Sequence, residues 1–141
     1  MGECLYLLKA KFATHGKAQI AAKKLVKTLS ELDEAYSFWQ KNRGKTPAEF
    51  WSEFEAKFPL ALEILKVTPG MEIGGDCNNG LAGKLSYCGN DRQVEVLGNE
   101  IKYSEEVWHF ASWTGLEIWI KKVLKAKAVV WASESNAAGD P

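Results

Sequence analysis

Apolar and polar residues change period several times along this 141-residue chain, and each change marks an element. Residues 3–13 alternate. Cys4, Tyr6, Leu8, Ala10 and Phe12 fall on one face, and Leu5, Leu7, Lys9 and Lys11 on the other. That is the period of a β-strand with one face in a core. The second face begins apolar and ends charged, so it is half covered. After Thr14-His15-Gly16 the period becomes helical. Ala18, Ala22, Leu25, Leu29, Leu32, Tyr36 and Trp39 recur by threes and fours as one stripe along a long helix. Burying its larger members stabilises by about 1.5–3 kcal/mol each before entropy.

Asn42-Arg43-Gly44 ends this helix, with Gly44 suited to a left-handed cap. Thr46-Pro47-Ala48-Glu49 is a capping box with proline at the first helical position. Phe50, Trp51, Phe54 and Phe58 follow at helical spacing, Pro59 breaks the helix, and residues 60–65 form a further short helical segment. Residues 68–83 hold five glycines and almost no periodicity; long irregular loops in compact domains are often functional or mobile. Strand chemistry then returns at 85–88, 93–97 and 101–103, separated by the hairpin signals Gly89-Asn90-Asp91 and Gly98-Asn99. Residues 107–112 read as another strand. Thr114-Gly115-Leu116-Glu117 is a second capping box. It opens a helix with the stripe Leu116, Trp119, Ile120, Val123 and Leu124. Residues 128–132 are a closing strand.

The expected architecture is one α+β domain over residues 1–133, with a disordered tail at 134–141. Its element order fits a ferredoxin-like sandwich: one mainly antiparallel sheet with two helices packed on one face, plus an inserted helical hairpin. Such folds host many unrelated functions, so function has to come from sites.

Composition narrows the classes. Hydrophobic residues make up 46% and charged residues 26%, the balance of a soluble globular domain. No apolar run reaches the roughly 18 residues of a membrane helix, and the start of the chain has no signal-peptide pattern. The expected location is therefore cytoplasmic. Three cysteines (Cys4, Cys77 and Cys88) with no Cys-x-x-Cys pair do not make a disulfide framework or a zinc ribbon. No cofactor and no metal site is expected.

The formal net charge is zero, but the charge is unevenly placed. Residues 1–30 carry six lysines against one acid, and residues 67–113 carry seven acids against three bases. Lys17, Lys23, Lys24 and Lys27 lie on the first helix off its apolar stripe. Lys121, Lys122 and Lys125 lie on the last helix. Two helices packed side by side would merge these lysines into one basic, anion- or partner-binding face. Acids collect in the strand pairs: Glu95, Glu100, Glu105 and Glu106. Only Arg43 and Arg92 are arginines, which weakens a reading of nucleic-acid binding.

No catalytic signature emerges. Residues 80–86 superficially resemble a phosphate loop, but Asn78, Leu85 and the strand that follows do not fit one. A calcium-loop reading from Asp76 fails at Tyr87. The glycine-rich loop still offers a generic ligand cradle, with Asp76, Asn78 and Asn79 as its polar groups. His109, Asp76 and Cys77 are the candidate catalytic residues, although no partner for His109 can be placed from the sequence. His15 is likewise unpartnered.

Leu5 and Leu7, with Trp108 and Trp131, suggest an open sheet face covered by a second copy, since large exposed apolar patches are rare on monomers. The leading expectation is a small interaction or ligand-binding module without catalysis of its own, a homodimer that also meets an acidic protein or anionic ligand. The alternatives are a small enzyme or accessory subunit using loop 68–83 and His109, and a protein that binds RNA or single-stranded DNA through its lysines.

Overall fold

The computed structural model describes residues 4–75, 90–107 and 114–135. The elements are strand β1 (Cys4–Lys11), helices α1 (His15–Lys41), α2 (Pro47–Lys57) and α3 (Pro59–Val67), strands β2 (Asn90–Leu97) and β3 (Glu100–Val107), helix α4 (Thr114–Lys122) and strand β4 (Ala128–Ser135). The class is α+β.

The four strands form one sheet in the order β2-β3-β1-β4, with every neighbouring pair antiparallel. The central strand β1 buries one face of its alternation: Tyr6, Leu8 and Ala10 are fully buried. Register carries that face across the sheet. Leu8 lies between Tyr103 and Trp131, and Ala10 between Ile101 and Val129. Residues directly opposite one another share a face, so β1 dictates which residues of β3 and β4 point inward.

The 27-residue α1 buries most of the predicted stripe and adds Ala21 to it. Ala35 is buried and Tyr36 only half-buried, while Thr28 joins the stripe. Thr28 is tolerated there because its hydroxyl donates to the Lys24 carbonyl at 2.7 Å. Gly44 is not in a left-handed conformation. Instead the helix ends on Asn42, whose backbone N–H donates to the Trp39 carbonyl and whose side chain donates to the Phe38 carbonyl.

The capping box at Thr46 forms as predicted, with reciprocal bonds between Thr46 and Glu49. α3 starts at Pro59, after the N-cap Phe58, with no side-chain cap of its own. The carboxylate of Glu31, on α1, accepts from the backbone N–H groups of Leu60 and Ala61 at 2.8 and 3.1 Å. An anion at a helix N-terminus satisfies otherwise orphan donors and complements the dipole. Phe38 on α1 meets Phe50 at 5.3 Å and Phe58 at 5.6 Å between ring centroids, so the α2–α3 hairpin is held to α1 by aromatic packing.

α1 packs on β2 and β3, α4 contacts β4, and both α1 and α4 touch α3. α4 approaches α3 so closely that a Cβ on Gly115 would lie 2.1 Å from Thr68 Oγ1. Only glycine fits at that crossing.

Three expectations about the strands change. β3 does not end at 103 but runs on to Val107, the residue expected to begin the next strand. Asn90 and Asp91 lie in β2 rather than in a turn, and β2 has a register shift against β3 between Asn90 and Gln93. β4 continues to Ser135, past the expected end of the strand. The predicted strand at 85–88, residues 108–112 of the next one and residues 136–141 lie outside the described residues. The Gly98-Asn99 hairpin is present. Gly98 has φ +61°, as a type II′ turn requires of its first central residue.

Candidate functional site

A cleft of about 470 Å³ lies between the start of α1 and residues 123–127, the segment that follows α4. Ligand pockets typically span about 300–1,000 Å³. Phe12, Ala13, Ile20, Ala21, Val123 and Leu124 form its apolar floor and walls. Lys17, Lys24, Lys125 and Lys127 complete the lining. Among the described residues no acid lines it.

Each part is placed by local rules. Ala13 and Lys17 flank the N-cap Thr14, whose hydroxyl accepts from the Lys17 N–H at 3.1 Å. The first turn of α1 contains no acid, so the partial positive charge of the helix end is left to the cleft mouth. Lys17, Ile20, Ala21 and Lys24 are spaced by one turn and project along one side of α1. Ile20 is 72% exposed. On the other wall the chain has already left α4 at Lys122, so Val123, Leu124 and Lys125 lie past the last helix rather than on it as expected, and Lys125 has φ +68°. This left-handed residue reverses the chain, and the Ala126 N–H bonds back to the Ile120 carbonyl while the Lys127 N–H bonds to the Lys11 carbonyl at 2.7 Å. Lys125 and Lys127 are thereby fixed at the rim.

The floor is anchored from the hairpin side. Asn99 Nδ2 donates to the Phe12 carbonyl, and the Phe12 N–H donates to the Asn99 carbonyl, both at 2.8 Å. His15 is not unpartnered as expected: its Nδ1 bonds to the Gly98 carbonyl at 2.5 Å. A carbonyl only accepts, so Nδ1 carries the proton.

Among the described residues, Lys17, Lys125 and Lys127 form no ion pair. Lys24 is 3.6 Å from Glu63 and 6.0 Å from the centre of the Trp119 ring. Glu63 also accepts from Trp119 Nε1 at 3.1 Å. Both members of that pair are over a third exposed, so it is screened and worth little.

Of the lysines expected to form a basic face, Lys17, Lys24 and Lys125 meet at the cleft. Lys23, Lys27, Lys121 and Lys122 are exposed and do not line it. Lys127 was not anticipated. Its signal was present in the run Lys121-Lys122-x-x-Lys125-x-Lys127, but its position depends on the left-handed turn at Lys125.

The expected interface residues do not form one surface. Leu5 and Leu7 are half-buried on the face opposite Tyr6 and Leu8. Trp131, paired with Leu8, lies on the helix side and stacks on Tyr6 with centroids 5.9 Å apart. Trp108 lies outside the described residues, as do Asp76, Cys77, Asn78, Asn79 and His109, so the glycine-rich cradle and the catalytic candidates receive no geometry. Among the described residues no three His, Cys, Asp or Glu side chains are grouped to hold a metal, and no helix is long and apolar enough to cross a membrane.

A second polar cluster is buried. Glu105, which the sequence reading grouped with the other acids of the strand pairs, is fully buried. It accepts from Tyr103 Oη at 2.5 Å and from Arg92 Nε at 3.4 Å. Arg92 also donates to Asp33 at 3.1 Å and to the Leu29 carbonyl at 3.0 Å, both on α1. Burial, reinforced by the Glu105 charge, pushes the Tyr103 hydroxyl far above its usual range. Nearby, Tyr6 Oη donates to Glu117 at 2.8 Å, and its ring meets that of Tyr103 edge-on at 6.2 Å. In this cluster the charges bind the fold to itself.

Comparison with known proteins finds no matching family model, no similar curated protein and no similar solved structure.

Proposed function

We propose that this protein is a small binding module whose ligand is an amphipathic anion, an apolar chain ending in a carboxylate, held in the cleft between the start of α1 and the segment that follows α4. The observation that carries this reading is the cleft lining: an apolar floor, four lysines and, among the described residues, no acid. The strand order, together with helices between β1 and β2 and between β3 and β4, supports a ferredoxin-like sandwich with the α2–α3 hairpin inserted. In that arrangement α1 and α4 lie side by side, and the cleft lies beyond the end of α4. A cytoplasmic location suits a module of this kind.

The energetics favour a chain of moderate length. Each CH₂ buried contributes about 0.8 kcal/mol, and each exposed lysine contact adds about 0.2–1 kcal/mol. Association and ordering costs subtract several kcal/mol, so micromolar affinity is expected, a dissociation constant of about 1–100 μM.

Titration calorimetry with decanoate, decanol and decyltrimethylammonium tests the proposal. Decanoate should bind one to one and weaken as salt is added. Decanol should bind about tenfold more weakly, a difference of about 1.4 kcal/mol, and the cation not at all. Reversing two rim charges with Lys17→Glu and Lys125→Glu should abolish decanoate binding. Equal affinity for decanoate and decanol, or binding that survives the double charge reversal, would overturn the assignment.

A further inference from the structure

The two edges of the described sheet differ in how they are protected. An edge strand presents unpaired backbone N–H and C=O groups, and native proteins guard it with bulges, inward-pointing charges or exposed charges. β2 has all three: the register shift between Asn90 and Gln93, Arg92 turned inward to Glu105, and the exposed Glu95. β4 has none along most of its length. Its eight residues pair with β1 in unbroken register, and residues 128–133 carry no charge and no proline. Val130 and Trp131 are 62% and 41% exposed.

We propose that β4 pairs antiparallel with β4 of a second copy of this chain, joining the two sheets into one of eight strands. A two-fold axis normal to the sheet at Trp131 keeps like faces together. It places Trp131 opposite itself, Val130 opposite Ala132 and Val129 opposite Ser133. Aromatic and β-branched cross-strand pairs are the stabilising ones. No like charges meet along residues 128–133, and with a formal net charge of zero two copies approach without net repulsion. The pairing uses the same edge on both copies, so it closes at two. The outer edges of the dimer are then the guarded β2 strands, which stops further growth. This assembly is independent of the cleft, and it replaces the sheet-face contact through Leu5 and Leu7 that the sequence suggests.

Analytical ultracentrifugation of the full chain at up to about 100 μM, a concentration that populates any micromolar dimer, tests it. The wild type should sediment as a dimer of the 15.7 kDa chain. Val130→Lys should weaken dimerisation at least tenfold, while Leu7→Lys on the sheet face should leave it unchanged. Amide hydrogen exchange gives a second readout that needs no variant: residues 128–133 should exchange more slowly as concentration rises. A monomer throughout, a dimer dissociated by Leu7→Lys, protection independent of concentration, or assembly beyond two copies would each overturn the proposal.

Discussion

Arg92 and the lysines of the cleft carry the same charge in opposite settings. Arg92 comes from β2 and reaches under α1, and its side chain is only 12% exposed. Glu105 accepts from its Nε, and Asp33 and the Leu29 carbonyl accept from its Nη1. The cleft lysines stand at the surface over an apolar floor, three of them without an ion-pair partner among the described residues. The difference lies in what each charge meets. A buried cation requires fixed partners and so ties elements together, whereas an exposed cation beside apolar surface remains available to an incoming anion. The first arrangement builds the fold, and the second leaves a site.

Removing one member of the buried set should have the largest effect. Arg92→Met leaves the Glu105 carboxylate buried without its guanidinium, and breaking such a pair costs about 3–5 kcal/mol. Urea unfolding measures this, and a loss below about 1 kcal/mol would mean that the cluster is not what joins α1 to β2 and β3.

The next effect depends on pH. The fold favours the neutral form of Tyr103, so the hydroxyl ionises well above its unfolded value of about 10. Its contribution is fully present below that value and falls as the pH rises past it, by about 1.4 kcal/mol per pH unit. Stability followed from pH 9 upward should show this slope, and Tyr103→Phe should flatten it. An unchanged slope in the variant would assign the alkaline loss elsewhere.

The smallest effect belongs to the cleft. Lys17→Gln and Lys127→Gln should each change unfolding stability by less than about 0.5 kcal/mol, as surface substitutions usually do. A larger loss would give those lysines a structural role and erase the contrast with Arg92.

Much of this was legible in the pattern of the chain. The α1 stripe, the Thr46 capping box and the inward face of β1 follow from periodicity and local hydrogen bonding, which act over a few residues. The buried position of Glu105 was also legible in principle. Ile101, Tyr103 and Glu105 share the parity of a core face, yet its neighbour Glu106 makes the pair read as surface acids. The end of α1 misled for a different reason: glycine permits a left-handed cap without imposing one, and Asn42 supplied the bonds first.

Sequence alone determined the element types, the faces they bury and the α+β class, because periods of 2 and 3.6 are set by backbone geometry. It also placed lysines on two helices. The tertiary structure decided which lysines meet. Lys24 and Lys125 converge only because the segment after α4 lies across Phe12 from the start of α1, and Lys127 joins them only because Lys125 adopts a left-handed turn. It decided the edges too: strand order is a long-range pairing, and no local pattern states that β4 lies outermost while β1 is central. Contacts between residues far apart in the chain depend on how whole elements pack, and that packing is where the site and the unguarded edge arise.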